Sequence, residues 1–271
     1  MQKILFKQRL VTLILFVVFS NYVMLAQKPT SKSEFHEHLV SFNYPNGPYS
    51  SQMLATDFGN GSYFELRDFA SIVDSAYCVT FKKGEKVRNT GASTKVNIPY
   101  AKKYSLEYRI KYDENFEAGL HGKQFGFRLG VGYDGGRAEE ARNNGNGGSV
   151  RIQFDAYEDY ISNQLYVYNS GMDGKYGNNP GKQKYNFKRG EWHTILLTVS
   201  LESTYEAKDG RIEVHCDGTK VIDVNGMAFV RLDEHRFITG LSLESFPGGG
   251  GTFPTYDNYL FVDNMKWWKQ Q

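Results

Sequence analysis

Two short polar motifs and one lysine are the residues of this chain whose types and spacing suggest chemistry. Ser149 and Arg151 alternate with apolar residues in the segment SVRIQF, and Tyr166 and Tyr168 do the same in QLYVYN. Lys123 precedes a further apolar segment. Side chains two residues apart on a strand point to the same face. Each motif therefore offers two polar groups on one face, and the set combines two cations with three hydroxyl groups.

This combination suits the removal of a proton next to a carboxylate. That proton is weakly acidic until the carboxylate charge is neutralised, which Lys123 and Arg151 are able to do with the help of hydroxyl donors. A tyrosine beside cations then serves as base and a second one as acid, because cations lower its pKa from about 10. Such chemistry cleaves a uronic-acid polymer by β-elimination. Taken alone, both motifs also fit an ordinary solvated strand or a sugar-stacking surface.

Three nearby residues are candidates for substrate contacts. Gln153 shares the polar face of the Ser-x-Arg motif, and His121 lies close to Lys123 and is a substitute base. Arg128 replaces Lys123 as the cation if its strand is shifted by one residue, because such a shift exchanges the two faces.

A basic run follows the tyrosine motif. Residues 175–189 begin with Lys175 and carry five basic side chains and no acidic one. Such a run either attracts a polyanion or is an ordinary solvated face, and both interpretations stay open. Lys175 is accordingly a fourth candidate for substrate binding.

The elements that must position these residues are short strands. Residues 105–112 and 149–154 alternate between apolar and polar side chains, and Asp217-Gly218 joins two further segments as a hairpin turn. No segment shows a sustained helical apolar stripe. The other strand-like segments are 164–169, 192–201, 211–216, 219–224, 241–246 and 259–265. Many short strands with glycine-rich turns predict an all-β jelly roll or concanavalin-like sandwich of two antiparallel sheets.

The domain organisation follows from composition. Residues 27–50 are polar with three prolines and are expected to be a loose lead-in, and residues 51–271 are expected to form one jelly-roll domain. Residues 134–148 and 248–251 are glycine-rich. Long loops in a compact β domain either carry function or are tolerated insertions, and this choice stays open.

The first 26 residues have the layout of a secretory signal peptide. Three basic residues precede the apolar run Leu10–Ser20, and the small Ala26 precedes Gln27. The run is shorter than the roughly 20 residues of a membrane span, with an uncleaved anchor as the alternative. Its removal leaves 29 basic and 30 acidic residues and changes the net charge from +2 to −1. We expect a secreted or periplasmic protein without a membrane span, and the near-neutral charge argues against a dedicated nucleic-acid binder.

Cysteines and metal ligands are few. An exported chain permits a disulfide between Cys78 and Cys216, but two unpaired thiols fit the sequence equally. His36 and His38 have no third ligand at the spacing of a zinc site, so no catalytic metal is expected. Asp263-Asn264 lies where jelly rolls sometimes hold a structural Ca²⁺, which prefers oxygen ligands.

Several segments, taken in order, resemble the catalytic domain of polysaccharide lyase family 14. They are GKQFGFRLG, SVRIQF, LYVYN, GEWHTILLTVSL, DGRIEVHCDGTKV and YDNYLFVDNMKW, spread over residues 104–268. The most specific part is the closing pattern, which runs from Phe246-Pro247 through Pro254 to Tyr256–Asn264. The resemblance implies a β-jelly roll, alginate or related polyuronate lyase activity, an acidic polysaccharide as substrate and no required cofactor. We expect a monomer.

The resemblance also implies roles for individual residues. Lys123 and Arg151 neutralise the carboxylate, Ser149 supplies a hydroxyl contact, and Tyr166 and Tyr168 transfer protons, in an order that stays open. The gap between the two motifs is a few residues longer than in the family. In addition, residues 143–146 are rich in asparagine where some members have a histidine.

Two other functions compete with a lyase. In a non-catalytic carbohydrate-binding module, the tyrosines would only stack on sugars, and a lysine aligned with Ser149 and Arg151 would have no purpose. A retaining glycosidase needs two carboxylates about 5–5.5 Å apart. The sequence lacks the compact acidic strand motif that would indicate this pair, so the glycosidase ranks last.

Overall fold

Strands dominate the molecule, because apolar and polar residues alternate along most of the sequence. The computed structural model describes residues 37–66, 68–85, 89–133, 137–174, 176–248 and 253–270. Within these ranges the chain forms sixteen strands, two α-helices and two short 3-10 turns, at Pro180–Lys182 and Asp233–His235. The expected signal peptide, His36 and Lys175 lie outside the described residues.

The described strands pair into two antiparallel sheets, one of nine and one of seven strands. In chain order the elements are β1 (His38–Val40), β2 (Gly47–Pro48), α1 (Ser51–Phe58), β3 (Tyr63–Leu66), β4 (Ala70–Val73), β5 (Ala76–Phe81), β6 (Ala92–Ala101), β7 (Lys103–Tyr112), β8 (His121–Gly130), α2 (Ala138–Asn144), β9 (Gly147–Ala156), β10 (Ile161–Tyr168), β11 (Lys184–Phe187), β12 (His193–Ser200), β13 (Gly210–Cys216), β14 (Thr219–Met227), β15 (Ile238–Ser245) and β16 (Asn258–Lys269).

The order of strands is that of a sandwich. The nine-stranded sheet runs β14-β13-β12-β7-β16-β5-β4-β2, with β1 paired to β16. The seven-stranded sheet runs β11-β10-β9-β8-β15-β6-β3. The expected all-β fold of two antiparallel sheets is confirmed.

The core lies between the two sheets and is built from the apolar half of each alternating strand. On β7 the residues Leu106, Tyr108 and Ile110 have no solvent exposure, and on β9 the same holds for Val150 and Ile152. Their sequence neighbours point away from the core. The period-two pattern therefore predicted correctly which face of these strands belongs to the hydrophobic core.

Residues 37–50 belong to the core, although their polar composition suggests a loose lead-in. β1 pairs with β16, and Val40, Phe42 and Tyr49 are between 1% and 3% exposed. The few apolar residues of this segment lie far apart in sequence, so no periodic pattern reveals them. Pairing with β16, more than 200 positions away, holds Val40, whereas Phe42 and Tyr49 pack against each other and against Tyr77.

Both helices are shorter than a periodic apolar stripe can reveal. In α1, Leu54 and Phe58 lie one turn apart and are buried, and the Ser50 hydroxyl caps the first turn by accepting from the Met53 N–H at 3.1 Å. α2 and the start of β9 occupy most of the glycine-rich segment 134–148, which is therefore not one continuous loop. Gly145 ends α2 in the left-handed conformation, at φ 65°.

Cys78 and Cys216 are both free thiols. Burial, the largest cause, raises the pKa of the Cys78 thiol to about 11 and that of Cys216 to about 12. Of the two arrangements that the sequence allows, the structure has the unpaired one.

No helix in the described ranges has the length and apolar character that a membrane crossing requires.

Candidate active site

The predicted residues meet on the outward face of the seven-stranded sheet, where β8, β9 and β10 are neighbours. The register of these strands places the residues in three adjacent cross-strand pairs, Ser149–Tyr168, Arg151–Tyr166 and Lys123–Gln153. We call the surface made by these six residues the polar face. All five predicted catalytic residues and one predicted substrate contact thus lie together.

Lys123 lies at the centre of this group. Its Nζ donates to Gln153 Oε1 at 2.7 Å and stands 3.5 Å from the centroid of the Tyr166 ring. The Arg151 guanidinium lies 5.5 Å from that ring and 5.6 Å from the ring of Tyr168. Both cations therefore contact the electron-rich faces of the tyrosines, an arrangement that favours positive charge.

A bulge in β8 determines which face of the sheet Lys123 and Arg128 occupy. Lys123 pairs with Gln153, but Gly126 pairs with Arg151, so two residues of β8 face one residue of β9. After the bulge, Arg128 returns to the same face as Lys123.

Arg128 is nevertheless turned away from the tyrosines. Its Nη2 donates to the carbonyl of Val96 at 3.0 Å and to Asn97 Oδ1 at 2.7 Å. The guanidinium lies across Gly240, where a Cβ atom would approach Nη2 to 2.2 Å. The sequence-based expectation placed the two cations on opposite faces of β8, and the bulge instead brings both to the same face.

Two charged side chains on the same outward face of the sheet hold Arg151 in place from its side. Glu244 on β15 accepts hydrogen bonds from Arg151 and from Lys95 on β6, and the three side chains are between 1% and 4% exposed. Lys95 also lies 3.6 Å from Glu65. We refer to Arg151, Lys95 and Glu244 as the buried charge network.

Sequence reasoning missed Lys95 and Glu244. Each stands at a polar position of an alternating strand, which is also the pattern of a solvent-exposed residue. Only the pairing of β6, β15, β8 and β9 brings them to Arg151, and that pairing spans up to 149 positions of sequence.

The electrostatics distinguish the lysine from the tyrosine. Burial, aided by the nearby Arg151 charge, lowers the pKa of Lys123 to about 7, and Asp155 and Glu244 oppose this shift. Burial, together with the hydrogen bond to Tyr168, raises the pKa of Tyr166. The two hydroxyl oxygens are 3.3 Å apart. Near neutral pH, Lys123 thus gives up its proton easily, whereas Tyr166 keeps its own.

The tyrosine pair is held by the segments on either side of it. A Cβ atom at Gly177 would lie 2.8 Å from both rings, so the chain passes directly against them. Val167 and Asn178 exchange backbone hydrogen bonds of 2.9 and 3.0 Å. Ala141 of α2 packs in one cluster with Tyr168. The glycine-rich segment around α2 therefore supports the tyrosines from behind.

Ser149 offers an unused hydroxyl. Its side chain is 1% exposed, and its Oγ makes no hydrogen bond within the described residues. A buried hydroxyl without a partner costs about 1–3 kcal/mol, which binding of a polar ligand would recover. The position beside Tyr168 makes Ser149 a donor for such a ligand.

His121 lies at the edge of the polar face, next to the closing sequence pattern. It pairs with Asp155 on β9, and burial lowers its pKa. Its carbonyl accepts from the Gly248 N–H at 2.8 Å, and a Cβ atom at Gly248 would lie 3.7 Å from Lys123 Nζ. His121 is therefore placed for substrate contact at the side of Lys123. Lys175 lies outside the described residues, so its part in binding stays a prediction.

One group among the described residues has the side chains of a metal site. It lies on the nine-stranded sheet, whereas the polar face lies on the seven-stranded one. His193 on β12, Cys216 at the end of β13 and Asp217 in the following turn bring their ligand atoms within 4.8 Å of one another. His193 Nδ1 is 2.8 Å from Asp217 Oδ2, and Nε2 accepts from the Lys188 N–H at 3.3 Å. Both ring nitrogens are thus occupied by protein contacts.

The surroundings of Asp263 do not favour the predicted structural Ca²⁺. One carboxylate oxygen accepts from the Asn264 N–H at 2.7 Å, and the other lies 3.8 Å from the Arg109 guanidinium. A cation is already next to this carboxylate, so a Ca²⁺ there would be repelled.

A family model described as Polysaccharide lyase 14 matches residues 74–259. The chain belongs to this family. The matched range contains every residue of the polar face, and the resemblance inferred from the motifs is confirmed. The protein is a polysaccharide lyase.

Solved structures agree with the lyase fold. The structure of a double-substitution variant of alginate lyase Aly36B in complex with alginate tetrasaccharide is similar, with a TM-score of 0.79 and 24% identity over 87% of this chain and 97% of that one. Aly36B itself gives a TM-score of 0.78 and 25% identity over 87% and 97%. Alginate lyase vAL-1 from Chlorella virus gives 0.55 and 16% over 77% and 89%. A search of curated proteins found no match.

Proposed function

We propose that this lyase cleaves a uronic-acid polymer of the alginate type by β-elimination on the polar face. One observation carries the proposal, which is the convergence of two buried cations, Arg151 and Lys123, on a pair of hydrogen-bonded tyrosines. The alginate tetrasaccharide bound to the similar Aly36B variant supports an acidic polysaccharide as substrate.

Arg151 neutralises the carboxylate of the sugar whose proton is removed. A guanidinium stays protonated at every physiological pH, so its charge is constant. Glu244 compensates part of that charge and holds the side chain in place, which pre-organises it for the charge that develops in the transition state. The free Ser149 hydroxyl adds a donor at the same strand.

Lys123 takes the proton in this mechanism. Its pKa of about 7 leaves a substantial neutral fraction near neutral pH, so Nζ is able to accept the proton from C5 of the uronate. The electron pair of that C–H bond forms the C4=C5 double bond, and the C4–O bond to the neighbouring sugar breaks. This assignment differs from the sequence-based one, in which Lys123 only neutralised charge and a tyrosine was the base.

The tyrosine pair returns a proton to the leaving oxygen. Because the pKa of Tyr166 is raised, its hydroxyl is protonated in the resting enzyme and available as a donor. The 3.3 Å contact to Tyr168 links the two hydroxyls, so one of them delivers the proton and the other replaces it, and both are needed. Lys123 then loses its proton to the tyrosines or to water, which restores the neutral lysine for the next reaction.

The test is an ultraviolet assay of the new double bond. We expect the mature chain to generate absorbance on at least one of polymannuronate, polyguluronate and glucuronan. Lys123→Ala and Tyr168→Phe should each lose most of that activity, whereas Lys208→Ala, an exposed lysine elsewhere, should keep it. Absence of absorbance on all three polymers contradicts the proposed function. Full activity of both active-site variants contradicts the assignment of the site.

We further propose that the protein acts after export and removal of residues 1–26, as a monomer, and without a cofactor or nucleic acid. Mass spectrometry of the secreted chain checks the cleavage position, and size-exclusion chromatography checks the monomer. Activity that disappears in a chelator and returns with Ca²⁺ contradicts the absence of a required ion.

A further inference from the structure

The outward face of the nine-stranded sheet carries a cluster that the lyase reaction does not use. It consists of Arg109 and Lys111 on β7, Trp192 just before β12, and Phe261 on β16. We call these four residues the outer platform. Phe261 pairs directly with Lys111 across the two strands. Their chain neighbours Ile110 and Val262 are fully buried, so the platform side chains point away from the core.

Cations and aromatic rings contact each other throughout this cluster. Lys111 Nζ stands between two rings, at 5.1 Å from the centroid of Trp192 and 4.9 Å from that of Phe261. The Arg109 guanidinium lies 4.9 Å from the Trp192 ring. These contacts restrict the long side chains and keep their charged ends at the surface.

The platform has more positive than negative charge. Within the described part of the chain, Lys111 makes no ion pair, and Arg109 meets only Asp263, at 3.8 Å. Other cations of the same sheet are closely paired, for example Lys266 with Glu107 at 3.0 Å. An ordinary solvated face would follow that pattern, so the unpaired lysine between two rings distinguishes the platform.

The chemistry of the platform fits an acidic sugar chain. Aromatic side chains provide apolar surface for the C–H faces of sugar rings, and the cations provide partners for carboxylates. Arg109 and Lys111 are two residues apart on one strand, which separates them by about 7 Å and lets them meet successive carboxylates of an extended polymer.

We propose that the outer platform is a second, non-catalytic binding site for the uronic-acid polymer, on the sheet opposite the active site. The identity of the polymer rests on the proposed function. A chain held on the platform raises the effective concentration of further sugar units at the polar face, so long polymers benefit and short oligosaccharides do not.

The experiment compares polymer with oligosaccharide in the full mature protein. In the double variant Arg109→Gln/Lys111→Met, we expect the ratio of kcat/KM on polymer to kcat/KM on tetrasaccharide to fall about three- to tenfold. Trp192→Ala should act in the same direction. Lys208→Ala removes one exposed positive charge elsewhere and serves as the control. A ratio equal to that of the control overturns the proposal.

A binding measurement separates this proposal from the proposed function. In affinity electrophoresis through gels containing alginate, polyguluronate or glucuronan, the platform variants should be retarded less than the control, whether or not the protein cleaves the polymer. Equal retardation of all variants overturns the platform. A wild-type dimer in size exclusion that becomes a monomer in the platform variants also overturns it, in favour of an interface between two copies. Thermal unfolding confirms that each variant is folded.

Discussion

Both sheets of the molecule carry clusters of opposite charges, but water reaches only one of them. The buried charge network lies beside the polar face on the same side of the seven-stranded sheet, with side chains no more than 4% exposed. On the nine-stranded sheet, Asp223 pairs with Arg211 at 2.7 Å and with Lys220 at 3.1 Å, and these two cations are 38% and 41% exposed. We call this second group the exposed charge cluster. The residue types and contacts are alike, and burial is the main difference.

That difference decides what each cluster does. Exposed pairs gain little, because water solvates each partner nearly as well and salt screens the attraction. Buried charges lose their hydration, so removing one partner leaves an uncompensated charge in a poorly polarisable surrounding. The buried charge network is therefore a fixed electrostatic scaffold for the active site, whereas the exposed charge cluster mainly keeps the surface polar.

The largest contrast is expected from matched arginine substitutions. Arg151→Ala removes the constant cation, so we expect a loss of activity of at least about 10²–10³-fold. Lys95 still compensates Glu244, so stability should fall by less than the roughly 3–5 kcal/mol that an uncompensated buried charge costs. Arg211→Ala should change both little. Ultraviolet assays and denaturant unfolding measure the two effects. Similar losses in both variants would remove the distinction between the clusters.

The carboxylates of the two clusters provide the second comparison. Glu244→Gln keeps the shape but leaves Arg151 and Lys95 without their shared negative charge, so stability should fall by about 3 kcal/mol. Because Glu244 opposes the lowering of the Lys123 pKa, its loss should also move the acidic limb of the pH–rate profile to lower pH. Asp223→Asn serves as the exposed control and should leave that limb in place. An unmoved limb in Glu244→Gln would contradict the coupling.

A third test uses the pH dependence of stability. Burial lowers the pKa of Lys123 to about 7 from 10.5, so the unfolded chain binds the proton more tightly than the folded one. The cost of the buried charge is fully present below pH 7 and disappears as pH rises from about 7 to 10.5. Lys123→Met should therefore be more stable than wild type, most clearly below pH 7, with a gap that narrows above it. In Lys208→Met, the difference in unfolding free energy from wild type should not change with pH. If the difference in Lys123→Met is equally independent of pH, the lowered pKa of Lys123 is refuted.

The smallest effect is expected where the backbone touches the tyrosines. A Cβ atom at Gly177 would lie 2.8 Å from the rings of Tyr166 and Tyr168, whereas one at Gly171 would meet its nearest atom at 3.5 Å. Gly177→Ala should lower kcat by less than about tenfold through misplacement of the hydroxyls. Gly171→Ala is the matched control and should stay close to wild type. If Gly177→Ala and Gly171→Ala have the same kcat, the contact between Gly177 and the tyrosine rings does not position those rings.

Local pattern was sufficient to predict the strands and their faces. Val150 and Ile152 are buried and Ser149 and Arg151 face outward because a strand repeats every two residues, and this information is contained in the segment itself. Asp217 and Gly218 have φ values of 49° and 78°, the positive values that the hairpin turn between β13 and β14 requires. The residues of the active site were found for the same reason, helped by the family resemblance.

What the sequence did not reveal depends on distant contacts. The bulge of β8 arises from its pairing with β9, and Glu244 reaches Arg151 only when β15 lies beside β8. The exchange of roles between lysine and tyrosine depends on burial of Lys123 beneath its neighbours, a quantity that no single segment determines. The core positions of Phe42 and Tyr49 were hidden for the same reason.

The position of β16 in the nine-stranded sheet determines when this sheet is able to form. This strand follows all other described strands in the sequence, yet it lies in the interior of the sheet, between β7 and β5. During synthesis, β5 and β7 are complete long before β16, which begins about 180 residues after the end of β5 and about 150 residues after the end of β7. Contacts of such long sequence separation form slowly. The nascent chain therefore stays incompletely paired until β16 has been released.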